Sequence, residues 1–578
     1  MKTVLKYMRA YRKEMILSPL FKLLEAFFEL IVPLVVTSII DDGIKGGNTG
    51  HIVRCALVMV ALGLIGLLCS VTAQFFAARA AVGFAAKVRN VLFRHIETLS
   101  YTDLDTMGTS SLITNMTNDV NQLQTCVNLV LRLFLRSPVV VFGAMIMALS
   151  IDGRAAIPFV IVIPALSAVV FGIMLAGIPL YKKVQKKLDK LLGITRENLN
   201  GTRVVRAFNL QDSETAHFRT SNEELTAAQK FVGRISALMN PLTFVIVNTA
   251  VIFLVRGGAF RVNDGAISQG QLIALYSYMT QILVELIKLA NLIITVTKAA
   301  ACGNRIEEVL NTQPSCDRRP VPSAFTPNSE SAIAFDHVNL RYRGAAADSL
   351  TNIHFSIGKG QILGIIGSTG SGKSSLVSMI PRFYPATAGA IAINGKHIDT
   401  YSDEELRHRI GVVPQKAVLF KGTVRSNLLW GNPNADEQAL VEALEASQSF
   451  SFVTKKAGGL DEPVEEGGKN FSGGQRQRLT IARALVKRPE ILILDDSASA
   501  LDYATDAALR ESIRNLPYHP TTVIVSQRTA SIRFADKILV LNDGEQVCLG
   551  THEELIRNCP IYKEIHDSQF AAPAGGNV

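Results

Sequence analysis

Patterned cysteine is missing from this chain. Its seven cysteines, Cys55, Cys69, Cys126, Cys302, Cys316, Cys548 and Cys559, show no CxxC spacing and no even framework. That argues against a zinc ribbon or a disulfide-built scaffold; they read as isolated small apolar residues in a reducing compartment, with no metal site implied. Charge is scarce as well, at 19% of residues against a hydrophobic share of 48% and a mean hydropathy of +0.25. In a chain of 578 residues this balance places part of the molecule in lipid. No basic–aromatic recognition motif accompanies the formal charge of +10, and the lysines and arginines crowd between apolar stretches. Cytoplasmic loops explain that distribution, and nucleic acid is not an expected partner. A cleavable signal is lacking too. Met1 to Lys13 is basic, and the apolar stretch behind it carries Glu25 and Glu29 with no small-residue cleavage pattern, so it reads as a retained first helix.

What is present falls into two halves. Six long apolar stretches, near 16–40, 54–80, 128–150, 156–180, 240–260 and 268–297, are each long enough to cross the hydrocarbon core as helices. Basic residues at the N-terminus, at Lys182, Lys183, Lys186, Lys187 and Lys190, and at Arg196, Arg203 and Arg206 outnumber those in the short turns near 41–50, 152–154 and 261–268. The positive-inside rule therefore places both termini and the two long connections, 89–124 and 182–234, in the cytoplasm. Prolines 314, 320, 322 and 327 with serine and threonine mark a linker over 311–331 between a membrane domain, 1–310, and a soluble α/β domain, 332–570. The small polar residues 571–578 read as a flexible tail. Ala332 to Ile357 alternates like antiparallel strands, and later apolar runs interleave with helical patterns as in a parallel sheet.

The soluble half carries the chemistry. Gly367-Ser368-Thr369-Gly370-Ser371-Gly372-Lys373-Ser374 follows the apolar run Ile362–Ile366 and precedes a helical segment opening at Ser375. That is the context a phosphate-binding P-loop requires. Its glycines let backbone N–H groups close around phosphate oxygens, Lys373 neutralises the β- and γ-phosphates of ATP, and the Ser374 hydroxyl ligates Mg2+. Asp495, ending the run Ile491–Leu494, is the expected magnesium-side carboxylate.

On these motifs the chain resembles a half-transporter of the ATP-binding cassette exporter family over nearly its whole length. Phe471-Ser472-Gly473-Gly474-Gln475 resembles the family signature, with phenylalanine where leucine is commoner. The resemblance implies a six-helix transmembrane domain of the exporter (type IV) fold followed by an α/β P-loop nucleotide-binding domain. It further implies that Ser472, Gly473, Gly474 and Gln475 act in trans on ATP held by the opposing chain. Tyr342 resembles the aromatic that stacks on adenine, Gln415 the glutamine that touches magnesium, and Glu466 the acidic residue that meets the cytoplasmic loops. Ser499-Ala500-Leu501-Asp502 resembles the loop crossing the cassette dimer; Asp105–Leu112 with Asn118-Asp119, and Asn200–Arg206, resemble the two coupling regions.

Two positions depart from the pattern. Asp496 stands where the family places its catalytic glutamate, and Gln527 where it places the switch histidine. Aspartate has the charge of the base without its reach, and glutamine lacks an ionisable imidazole. An intact signature beside two lost catalytic groups points to a heterodimer. In it this chain holds ATP at a degenerate, weakly hydrolytic site and completes the competent site of a partner half-transporter that supplies glutamate and histidine. The expected assembly is a translocase in a bacterial plasma membrane, exporting hydrophobic or amphipathic compounds such as drugs. Export of lipid or peptide by the same engine, a regulatory cassette that senses ATP without pumping, and a slower homodimeric pump stay open. Glu25, Glu29, Glu285 and Lys288, at or near membrane depth, are candidates for cargo contact, with Glu285 and Lys288 spaced to pair on one helix face. Phe27, Phe28, Tyr276, Tyr278 and Met279 could line a cavity or simply pack.

Overall fold

Apolar side chains dominate six helices whose bounds, in a computed structural model of the chain, are Thr3–Ile44, Thr49–Thr98, Thr109–Ile151, Ile157–Asn200, Gln211–Asn263 and Gln269–Asn311. The structure describes residues 2–313, 328–497 and 499–570. Most of the expected linker, Cys316 and the tail from 571 lie outside the described residues. The helices run to 42–53 residues. At about 1.5 Å per residue they are roughly twice as long as a hydrocarbon core is thick, so most of each long polar connection continues the membrane helices, interrupted only by the short helices Tyr101–Met107 and Thr202–Ala207. Helices and closed β-barrels alone satisfy every backbone group in lipid, and unbroken apolar runs of this length, lacking the alternation of barrel strands, take the helical form.

Several charges inside the membrane unit are paired. Arg136 donates to Glu285 at 2.6 Å and to Glu29 at 2.5 Å, Ser137 donates to Glu285 at 2.7 Å, and Lys288 pairs with Glu285 at 2.8 Å as its spacing suggests. Glu29, Arg136 and Glu285 each lie about fifteen residues, roughly 22 Å, from the short-turn end of their own helix. Three helices thus bring charge to one level of the bundle. Lys22 bonds Glu25 at 2.5 Å. Of the candidate cavity lining, Tyr278 and Met279 are fully buried, with the Tyr278 hydroxyl donating to the Leu30 carbonyl, whereas Phe27 and Tyr276 are exposed.

Among the described residues, the second compact unit comprises those from 328 onward together with Leu99–Gly108. Strands β1 (Ser331–Leu340), β2 (Leu350–Gly358), β4 (Ala388–Ile393) and β5 (Lys396–His397) pair antiparallel, as the alternation over 332–357 suggests. A parallel core follows from β3 (Ile362–Gly367), β6 (Ile410–Val413), β9 (Ile491–Asp495), β10 (Thr521–Val525) and β11 (Lys537–Asn542). With β12 (Glu545–Gly550) the order is β5-β4-β1-β2-β12-β11-β3-β10-β9-β6, and β7 (Gly422–Thr423) pairs separately with β8 (Pro463–Val464). Strands β3, β9 and β10 are buried on both faces, so they read as continuous apolar runs.

The short helix Tyr101–Met107 groups with this unit although its sequence lies between two membrane helices. Ser100 and Asp103 form a reciprocal capping box at its start, and Gly108, at φ 73°, ends it. Asp105 accepts a hydrogen bond of 2.6 Å from the Tyr384 hydroxyl, and the Tyr101 ring lies 4.5 Å from that of Phe383. Burial, then the bond to Asp105, pushes the Tyr384 phenol above its ordinary range.

One expectation fails here. Cys548 and Cys559 are not isolated: they form a disulfide across Cα atoms 6.3 Å apart. The helix His552–Asn558 turns the chain back from β12 so that residues eleven apart meet within bridging distance, a closure that spacing alone does not display. Cys55, Cys69, Cys126 and Cys302 are free.

Candidate functional site

The parallel register of β3, β10 and β9 decides which distant residues meet. Ile365 pairs with Val525, and Val525 with Asp495, so the residues that follow the three strands emerge along one edge of the sheet. In open α/β sheets that carboxyl edge is where ligands bind. A cavity of about 510 Å³ opens there, and Thr369, Gly370, Gly372, Lys373, Ser374, Ser375, Gln415, Asp495, Asp496 and Gln527 line it.

The loop is shaped by its glycines. Gly370 and Gly372 have φ of 86° and 92°, where an L side chain is strained. A Cβ on Gly367 would lie 2.1 Å from the Leu541 carbonyl oxygen, so β11 can run beside the loop only because that side chain is absent. Lys373 is buried and donates to the carbonyls of Gly367 at 2.9 Å and Ser368 at 2.6 Å, with the hydroxyl of the buried Ser371 at 3.4 Å. Burial holds its ammonium below the ordinary lysine range, against the pull of Asp496 and Asp495. A buried cation inside a glycine-shaped loop between strand and helix suits a polyphosphate.

The carboxylates sit opposite. Ser374 donates to Asp495 at 3.0 Å, so the hydroxyl and carboxylate expected to share magnesium are already adjacent. Gln415 donates to Asp496 at 3.3 Å. Burial raises both carboxyls above the usual range, and for Asp495 the neighbouring Asp496 adds to it. A divalent cation would reverse that penalty, so the donor set of Ser374, Asp495 and Gln415 fits Mg2+. Asp496 has φ 45°, uncommon for a residue with a side chain, and its N–H donates to the Val525 carbonyl. The Gln527 carbonyl accepts from Gln569 at 2.7 Å.

Tyr342 reaches the margin of this cavity through its hydroxyl, 2.9 Å from Ser375 Oγ, with its ring edge-on to Tyr384. The signature residues do not line the cavity. Ser472 caps the helix Gly473–Val486 by accepting from the Gln475 N–H, while the Gln475 side chain accepts from the Ser472 N–H. Ser472 and Gly473 are exposed at that helix start, an arrangement able to receive an anion from another molecule. The loop containing Ala500 backs onto it: a Cβ on Gly474 would lie 3.0 Å from the Ala500 oxygen. Glu466 is exposed beside Gly467, whose φ is 71°.

Sequence reasoning missed Asp348, Ser349, Asp543 and Gly544, which close the cavity on the side of β2 and β12. The Asp543-Gly544 pair is a hairpin turn by composition. Its place at the site follows from the Thr351 N–H donating to the Gly544 carbonyl, a contact between segments nearly two hundred residues apart.

Comparison with known proteins adds to this geometry. Residues 15–286 match the family described as ABC transporter transmembrane region, and residues 350–499 the family described as ABC transporter. The chain is 35% identical to an uncharacterized ABC transporter ATP-binding protein of Mycobacterium tuberculosis, covering 99% of both chains. It is 34% identical to another from Bacillus subtilis, again over 99% of each. A third relative, 27% identical over 98% of this chain and 99% of its own, is a Bacillus subtilis protein provisionally named for multidrug export as an ATP-binding/permease protein. Among solved structures, a bacterial Atm1-family ABC exporter with ATP bound has a similar fold, with a TM-score of 0.81, 23% identity and coverage of 98% of this chain and 99% of that one.

Proposed function

The chain belongs to the ABC transporters, multi-pass membrane proteins with an ATP-binding domain, and from that premise we propose that it is the degenerate-site subunit of a heterodimeric exporter in a bacterial plasma membrane. The observation that supports this most directly is the position of Asp496. It shares the cavity with Lys373 and Ser374, yet its carboxylate is one methylene, about 1.5 Å, shorter than glutamate and is engaged by Gln415. A general base must reach the attacking water, and an ångström of misplacement can cost on the order of a hundredfold. Gln527, in the same cavity, can hydrogen-bond a phosphate oxygen but cannot take up a proton.

In this reading Lys373 and the amides of residues 367–374 bind the phosphates, Tyr342 supports the base, and Ser374, Gln415 and Asp495 hold Mg2+. The ion supplies charge neutralisation when bound. Ser472, Gly473, Gly474 and Gln475 complete the partner's site, where a glutamate and a histidine of the partner perform hydrolysis. Helix Tyr101–Met107 passes the cassette's motion to the membrane helices. Both termini lie in the cytoplasm.

The cargo reading is amphipathic rather than purely apolar. A cavity of about 340 Å³ at the depth of the Arg136 network is lined by Glu29, Tyr276, Thr280, Gln281, Glu285 and Lys288, a surface that accepts a polar head with an apolar body. The same lining favours lipid export as the second reading. The test is steady-state ATPase of the purified chain, alone and co-expressed with a half-transporter carrying the glutamate and histidine. Activity is expected only in the pair; robust, cooperative hydrolysis by a proven homodimer would remove the heterodimer reading.

A further inference from the structure

The antiparallel pair β1–β2 contains a register shift. Phe335 faces Phe355 and Val338 faces Ile353, so Asp336 and His337 together oppose the single residue His354. This is a β-bulge, which re-aims side chains that regular pairing would send to opposite faces. His337 adopts φ 48° to make it, a backbone state histidine tolerates better than most residues. The bulge is pinned from the far side by β4, where a Cβ on Gly389 would lie 2.3 Å from the His337 carbonyl oxygen.

Two imidazoles and a carboxylate converge there. Their ligand atoms all lie within 4.8 Å of one another, the His354 Nδ1 and Asp336 Oδ1 at 3.3 Å, and the two rings stack at 5.0 Å. His337 Nδ1 is 2.5 Å from Asn352 Oδ1. An amide oxygen only accepts, so a neutral His337 ring that donates from Nδ1 presents the lone pair of Nε2, the arrangement by which supporting residues orient a histidine toward a metal. The His354 N–H is held at 3.0 Å by Gln546 of β12, fixing the facing strand.

We propose that Asp336, His337 and His354 form a binding site for a divalent transition-metal ion of the zinc class, distinct from the nucleotide site. Imidazole nitrogen selects zinc, nickel or cobalt over magnesium or calcium, which prefer all-oxygen shells. Ligand bonds of about 2.0–2.2 Å require the three side chains to draw in by roughly an ångström, a movement open to rings and a carboxylate at the surface. Three protein ligands leave at least one position for water. The ion ties β1 to β2 across the bulge.

The experiment uses the full-length chain, nucleotide-free and with any affinity tag removed, titrated with Zn2+ against a chromogenic chelator and followed in parallel by thermal unfolding. One Zn2+ equivalent is expected to weaken by at least about tenfold in His354→Gln and in His337→Asn, the latter chosen because asparagine also tolerates positive φ. Asp336→Asn preserves the shape should either histidine variant unfold early. Zn2+ should raise the unfolding midpoint of the wild type and not of the variants. Equal stoichiometry and affinity in wild type and variants, or an equal rise in midpoint, would overturn the site.

Discussion

Asp496 and Gly474 put the functional reading at opposite ends of one chain's chemistry. Asp496 faces the chain's own P-loop, whereas Gly474 lies at an exposed helix start outside that cavity. Gly474→Asp would press on the Ala500 carbonyl and, if the proposed pairing holds, set a carboxylate against the partner's phosphates, so it should abolish most ATPase and transport of the pair. Asp496→Asn should do far less. Steady-state ATPase of both variants at saturating ATP decides the ranking, and a larger loss in Asp496→Asn would place hydrolysis at this chain's own P-loop. In the proposed heterodimer, Lys373→Ala would remove the buried ammonium expected to neutralise phosphate in this chain's own site. Turnover should slow partially and remain measurable; a loss as complete as that from mutating the partner's glutamate would show two equivalent sites.

At the scale of elements, the contacts of helix Tyr101–Met107 with the cassette include the Tyr384–Asp105 bond, the Tyr101–Phe383 ring contact and an Arg343–Asp103 ion pair at 3.7 Å. Tyr384→Phe deletes the hydroxyl and leaves the ring, so basal ATPase should stay near the wild-type rate while transport in vesicles falls several-fold. Parallel decline of both activities would instead mark Tyr384 as part of the nucleotide site. The membrane helices are tied by the Arg136 network, in which Glu285 is 2% exposed and accepts from three partners. Removing one side of a buried ion pair typically costs about 3–5 kcal/mol. Glu285→Ala should therefore unfold at a clearly lower temperature in detergent, with Glu285→Gln intermediate because its amide oxygen still accepts. An unchanged midpoint in Glu285→Ala would show that the network adds no stability.

For the whole molecule, a site that binds ATP without turning it over should retain nucleotide. After a pulse of radiolabelled ATP and rapid removal of the free pool, the reconstituted pair should keep about one uncleaved ATP per two chains, and Lys373→Ala in this chain should abolish that retention. Label recovered entirely as ADP would contradict it.

The six spans, the division into a lipid and an α/β half, and the P-loop were legible in the sequence because each depends on local order. An apolar run of sufficient length must be a helix in lipid, and a glycine-rich loop between strand and helix has one common use. Strands β1 and β2 were legible from their alternation for the same reason. Tertiary structure alone decided the rest. Parallel register carried Asp348 and Asp543 to the nucleotide cavity, helix packing gathered Glu29, Arg136 and Glu285 at one depth, and a returning helix joined Cys548 to Cys559. A one-residue bulge turned Asp336 and His337 toward His354. Such meetings depend on how distant segments align, and residue spacing along the chain holds no record of an alignment in space.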